Sequence, residues 1–288
     1  MNLEKLSKNI WHSHPVEETD RPILAGIQGK DFTLIIDAGN SKQHFTEFQS
    51  EMKANGFVDR NAVVLTHWHW DHIFGAAYAT GPVIAHSITR EIMKELKTYD
   101  WTDEALDERV QQGLEIEFCR SCMVKELPSP RTIEIRIPEI QVEERLLIDL
   151  GTTECMIEHV GSEHALDHMV IYSTTDEVLF IGDILFVELY DGDWYWTPQK
   201  VDALIERLLS YPAKWFVASH VYPVQTREEF VAECEWICWI GHVVEASEDF
   251  DQVKDTIEQK APERAEEAIQ MAIWFREGLA RENDEVNQ

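Results

Sequence analysis

Apolar and β-branched residues run from Pro22 to Gly29 and again from Phe32 to Ala38, with a turn at Gly29-Lys30-Asp31, so the chain opens on two strands. Phe45, Phe48 and Met52 then recur at helical spacing and predict an amphipathic helix over Ser41–Asn55. Ala62–Leu65 is a short, fully apolar strand; Ile73–Tyr78 starts a helix, and Val83–Ala85 is another strand. From Ile88 to Leu127 the pattern becomes charged and partly helical and closes on Pro128-Ser129-Pro130, the signature of an insertion (about 88–130) between two halves of a fold. Strands are expected at Thr132–Ile137, Arg145–Ile148, Glu154–His159, Met169–Tyr172 and Val178–Ile181, then a helix at Val201–Leu209 and a strand at Trp215–Ala218. Beyond Thr226 the pattern is helical, with Ala265, Ala268, Ile269, Ala272 and Phe275 striping the last helix before a polar tail after Glu282. Strands and helices alternate within each half, which argues for an α/β layered fold. The expected division is a domain over 1–225 and a helical segment, 226–288, packed on or extending it.

Composition narrows the partners. Of 288 residues 44% are hydrophobic, enough for a large core, and 54 acidic side chains against 25 basic ones leave a formal charge of −29. Such a surface repels nucleic acid and anionic membranes and leaves a small molecule as the expected partner. No apolar run reaches membrane-spanning length, and Met1–Asn9 lacks a signal-like stretch. Five cysteines, an odd number, point to reduced thiols and a cytoplasmic setting. Cys119 and Cys122 form a CxxC without a second pair, which reads as a chance pair on the insertion. The apolar positions of Thr226–Ala246 (Phe230, Trp236, Ile237, Trp239, Ile240, Val243) suit core packing first and a homodimer face second.

One segment carries chemistry. His67-Trp68-His69-Trp70-Asp71-His72 reads HxHxDH between an apolar strand and a helix. Two histidines two apart on an extended loop project to one side, and Asp71 and His72 come where the chain turns. Imidazole and carboxylate suit zinc and related borderline metals, with iron and manganese accepted by the same set. Further polar residues stand at or just beyond strand ends, where α/β active sites are built: His164, Asp183 and His220. His12 and His14 form an HxH with no further ligands beside it, and His86, His168 and His242 read as surface or satisfied core histidines.

In order along the chain, Asp37, the HxHxDH loop, His164, Asp183 and His220 resemble the metallo-β-lactamase superfamily. The resemblance implies a four-layer αββα sandwich and two divalent metal ions, of zinc type, at one edge of two packed sheets. It implies His67, His69 and His164 on the first metal, Asp71, His72 and His220 on the second, Asp183 bridging both, and Asp37 supporting the ligand loop from behind. Two divalent ions bring four positive charges, of which Asp71, Asp183 and a bridging hydroxide offset three. The implied nucleophile is a water shared by the metals, with Asp71 orienting it or carrying its proton. An aspartate at 183 resembles glyoxalase-II-like thioesterases, lactonases, phosphodiesterases and RNA-processing nucleases rather than the common zinc β-lactamases, which place cysteine there.

Two departures stand out. The residue before the third-landmark histidine is commonly glycine and here is Glu163, with His159 as a substitute ligand if the loop differs. Quorum-signal lactonases place tyrosine three residues after the bridging aspartate, where this chain has Phe186. Trp68, Trp70 and the aromatic loop after Asp183 read equally as an apolar pocket and as ordinary packing, and Tyr190, Tyr195 and Tyr222 are candidate oxyanion donors. The expected activity is hydrolysis of a small ester, thioester or lactone. The competing readings are a phosphodiesterase on a small nucleotide and a non-hydrolytic iron-binding redox or sensor protein.

Overall fold

Strands that are apolar on both faces must be covered on both faces, and here that cover makes four layers. The computed structural model describes residues 1, 3–190 and 192–286. The first half contains β1 (Glu4–Lys5), β2 (Ile10–His12), β3 (Ala25–Gln28), β4 (Thr33–Ile36), α1 (Lys42–Ala54), β5 (Asn61–Val64), α2 (Trp70–Ile73), β6 (Val83–His86), α3 (Ser87–Leu96), α4 (Asp103–Gln111), α5 (Glu117–Glu126) and β7 (Ile140–Val142). Its strands form one sheet in chain order, antiparallel from β1 to β4 and parallel from β4 to β7. The second half contains β8 (Arg145–Asp149), β9 (Glu154–His159), β10 (Met169–Ser173), β11 (Val178–Gly182), α6 (Pro198–Leu209), β12 (Trp215–Ala218), β13 (Gln225–Thr226), α7 (Arg227–Glu245), α8 (Phe250–Lys260) and α9 (Ala265–Val286). Its sheet also follows chain order and is antiparallel except where α6 carries the chain across from β11 to the parallel β12.

Side-chain alternation assigns the layers. Leu34, Ile36, Val64 and Ile84 of the first sheet meet Ile157, Ile171, Val178, Phe180 and Val217 of the second in a buried inter-sheet core. The residues between them in sequence point outward. Ile35, Val63 and Leu65 pack under Phe45 and Phe48 of α1, Met93 and Leu96 of α3, and Cys119 and Met123 of α5. Val170, Leu179, Ile181 and Phe216 pack under Ile205 of α6, Phe230 and Ile240 of α7, Ile257 of α8 and Phe275 of α9. The segment read as an insertion is therefore part of the helical layer over the first sheet, and the C-terminal helices share one core with the second.

The expected strand at Thr132–Ile137 is absent. Its alternation is real, but the edge beside β6 is taken by β7, and Pro138 lacks a donor. Ile133, Ile135 and Ile137 instead pack into the outer core, and Arg131 and Arg136 pin the segment to the Trp101 and Ala79 carbonyl oxygens. The helix expected at Val201 starts earlier, at Pro198, whose fixed φ suits a first helical position. The helix expected over Ile73–Tyr78 starts at Trp70 and continues as a 3-10 turn, Phe74–Tyr78. The polar tail after Glu282 continues α9 to Val286; the last two residues, and Asp191 in the loop after Asp183, lie outside the described residues. Among the described residues no helix is long and apolar enough to cross a membrane.

Candidate metal centre

The parallel strands β5, β11 and β12 end on the same side, and each delivers polar residues there. His67 and His69 follow β5, Asp71 and His72 lie on α2, His164 lies in the β9–β10 loop, and Asp183 and His220 follow β11 and β12. The backbone N–H of Ser219 donates to the Gly182 carbonyl oxygen at 3.1 Å, fixing the last two strand ends against each other.

These residues fall into two groups, His67–His69–His164 and Asp71–His72–Asp183–His220, each with ligand atoms within 4.8 Å of one another. Asp183 Oδ2 lies between them, 3.2 Å from His72 Nε2, 3.3 Å from His220 Nε2 and 3.9 Å from His164 Nε2. Asp71 Oδ2 stands 2.9 Å from His72 Nε2 and 3.2 Å from His220 Nε2. The histidine Nε2 atoms of the first group and Asp183 Oδ1 are buried and have no hydrogen-bond partner among the described residues. Buried polar atoms are rarely left so. Three converging imidazole nitrogens and a carboxylate oxygen are what a divalent cation satisfies, so the donor set fits one.

The electrostatics differ between the groups. Burial holds His67, His69 and His164 below the usual histidine range, hence neutral with lone pairs available. Burial acts the same way on His72 and His220, but Asp71 and Asp183, with Asp37 beside His72, outweigh it and hold both imidazoles well above that range. Conversely, burial is outweighed at Asp71 and Asp183 by these imidazoles, which keep both carboxylates ionised.

A layer of contacts behind these residues orients them. Asp37 accepts from the Thr66 backbone N–H at 2.7 Å through Oδ1 and meets His72 Nδ1 at 2.9 Å through Oδ2, the supporting position expected of it. His164 Nδ1 donates to the Val187 carbonyl oxygen at 2.8 Å. His168, read from sequence as an ordinary histidine, accepts the Asp183 backbone N–H at 3.1 Å through Nε2 and stacks on His67 at 4.8 Å. Gly182 permits this: at φ 54° a Cβ there would lie 2.6 Å from His168 Cε1. The sequence also gave no sign of Asp20. Ile23 N–H donates to the Ser219 carbonyl oxygen at 2.7 Å and Asn40 Nδ2 to that of Thr19 at 2.7 Å; the turn they hold sets Asp20 Oδ1 3.7 Å from His220 Nδ1. Burial and the nearby Asp71 push this carboxyl up to about 7.

The two departures resolve differently. Glu163 replaces the expected glycine with a clamp: it accepts from Thr197 N–H at 2.7 Å and Thr197 Oγ1 at 2.5 Å, while the left-handed turn falls on Gly161 at φ 66°. His159 is not among the converging residues; it stacks on His86 at 3.9 Å and bonds the Leu166 carbonyl oxygen at 2.8 Å. Phe186 stays beside the site, with its ring 6.0 Å from that of His164.

Trp68 and Trp70 part company. Trp70 is buried against Phe74, whereas Trp68 stands 4.6 Å from His69 and lines a cavity of about 960 Å³ that also reaches His164 and Phe186. Of the three tyrosines, Tyr190 is nearest the ligands, 5.2 Å from His69, with its hydroxyl toward Glu115 and Cys119. Tyr195 lines the cavity under Arg281, and Tyr222 bonds Glu4 beside His14. Neither His12 nor His14 belongs to either group. Cys119 and Cys122 are buried free thiols, and His242 pairs with Asp202 at the surface.

The sequence model of the metallo-beta-lactamase superfamily matches residues 25–220, well over half of the chain. The chain belongs to the metallo-beta-lactamase superfamily. Members of this superfamily are mostly metal-dependent hydrolases and typically bind divalent metals. Solved structures share the fold at low identity. A metallo-beta-lactamase from Pontibacter korlensis is 19% identical, with 81% of this chain and 97% of that one covered and a TM-score of 0.56. The stereoselective inverting sec-alkylsulfatase Pisa1 from Pseudomonas sp. is 16% identical over 84% of this chain and 42% of that one, with a TM-score of 0.63. The DIM-1 metallo-beta-lactamase is 16% identical over 81% and 95%, with a TM-score of 0.53. No curated protein matches the sequence.

Proposed function

We infer that this superfamily member is a dinuclear hydrolase of a small ester, thioester or lactone. One observation carries the reading: Asp183 Oδ2 stands between a neutral three-histidine group and a group of opposite charges, within 3.9 Å of both. In this reading His67, His69 and His164 would hold one ion and Asp71, His72 and His220 the other, with Asp183 shared between the two groups. Two divalent ions of zinc type would supply Lewis acidity and lower the pKa of bound water to roughly 7. Asp71, whose Oδ2 lies 2.9 Å from His72 Nε2 and 3.2 Å from His220 Nε2, would orient the attacking water and take its proton. Neutral His67, His69 and His164 ligate without first losing a proton, whereas His72 and His220 release theirs on loading. The C–O or C–S bond of the substrate breaks, hydroxyl joins the carbonyl carbon, and the alcohol or thiol leaves with the proton.

The test is elemental analysis of wild type beside Asp183→Ala, with chromogenic esters, thioesters, lactones, phosphodiesters, alkyl sulfates and β-lactams run on both. About two metals per chain, and at least about a hundredfold loss of hydrolysis in the variant, are expected. Wild-type protein that cannot be loaded would overturn the reading, and turnover confined to phosphodiesters would replace it with the nucleotide alternative.

A further inference from the structure

The cavity beside His164 has a wall unlike the metal centre. Its volume, about 960 Å³, is near the top of the range for small-molecule sites (about 300–1,000 Å³). Trp68, Ile92, Leu185 and Leu204 line it, together with Ile88, Leu166 and Phe186. The last three are large apolar side chains left 39%, 73% and 39% exposed. Their gathering around one cavity that also reaches His164 is the kind of apolar surface that marks a binding site.

The charges on the wall disfavour one class of occupant. Lys200 Nζ is 3.3 Å from Glu163, which Thr197 also occupies, and Arg207 pairs with Glu158. Lys200 is thus compensated, Arg207 shares Glu158 with Arg145, and Glu188 adds a further carboxylate to the wall. A substrate with a carboxylate or phosphate at its far end would gain little here and would meet a chain of charge −29.

We propose that the substrate carries an uncharged apolar tail, an acyl or alkyl chain, that fills this cavity while its carbonyl lies at His164 and Asp183. The inference rests on the hydrolase reading and adds the class of substrate to it. Ile88, Leu166, Leu204 and Phe186 then determine chain-length preference, and polyanionic thioesters and nucleotides are poor substrates.

The experiment uses metal-loaded protein and two series: p-nitrophenyl esters from acetate to dodecanoate, and acetates of alcohols of rising chain length. In one series kcat/KM should climb about two- to fourfold per methylene until the cavity is filled, the upper factor being what burial of a CH₂ (about 0.8 kcal/mol) allows. Ala203→Trp, which puts a large side chain into the cavity from the exposed face of α6, should cut the long-to-short ratio at least about tenfold. Binding of decan-1-ol to both proteins is measured alongside by calorimetry. Hydrolysis that is flat in both series overturns the tail and leaves the hydrolase reading intact. Decan-1-ol binding that Ala203→Trp abolishes, without turnover of any ester, supports the apolar site and overturns the ester reading. Absence of decan-1-ol binding overturns the proposal.

Discussion

The floor of the site and the wall of its cavity are built on different principles. The floor is polar and buried, held at the ends of β5, β11 and β12, with Asp37 and His168 bracing the ligand loops. The wall is apolar and partly exposed, drawn from the start of α3, the β9–β10 loop, the loop after Asp183, and α6. Chemistry that needs charges placed to within tenths of an ångström is put on elements pinned by two sheets. Recognition of an apolar group needs only area and shape, so connecting segments can supply it.

Acid is the strongest way to break this contrast. Burial pushes His44, buried on α1, and His168 down to about 3, while in the unfolded chain they titrate near 6.5. Between these values the unfolded state binds more protons. Their contribution is therefore present above pH 6.5 and is lost as pH falls toward 3, at about 1.4 kcal/mol per pH unit for each histidine. In urea unfolding of metal-free protein at successive pH values, His44→Gln should lose less stability than wild type as pH falls from 6.5 toward 3. Next in size is Asp37→Ala, which leaves Thr66 N–H and His72 Nδ1 without their acceptor. Metal affinity should fall about 10–100-fold in a chelator competition; unchanged affinity would mean that the floor does not depend on its bracing.

Asp20→Asn sharpens the comparison, because it removes charge from behind His220 without altering the wall. A loss of about tenfold or less in affinity is expected, with Asp20→Glu restoring part of it. If both variants bind metal as wild type does, Asp20 serves only its turn. The smallest effect falls on the wall: Leu166→Ser, at a residue 73% exposed, should change stability by less than about 0.5 kcal/mol while leaving metal content unaltered.

Legibility followed the same division. Ala62–Leu65, Val178–Ile181 and Trp215–Ala218 were readable as strands because cover on both faces demands unbroken apolar runs, and the candidate ligands follow those runs directly. Thr132–Ile137 misled because alternation reports two environments, not the presence of a free sheet edge. β1, β2, β7 and β13 were missed because two or three residues show no period. His168 was passed over because its role lies in a backbone contact with Asp183 that no spacing encodes, and Asp20 because it reaches the site only through the folding of the N-terminal segment. The cavity wall was half visible: Trp68 and Phe186 drew notice as aromatic residues, but Ile88, Leu166 and Leu204 are unremarkable until the fold gathers them.

Glu163 has a consequence for anyone recombining this protein with its relatives. Its carboxylate spans from the His164 loop to Thr197 and Lys200 at the start of α6, joining two segments more than thirty residues apart. A loop grafted here from a relative with glycine before the histidine would arrive without that tie, and α6 would lose the acceptor at its first turn. The loop and the helix are therefore one cassette, to be exchanged together or not at all.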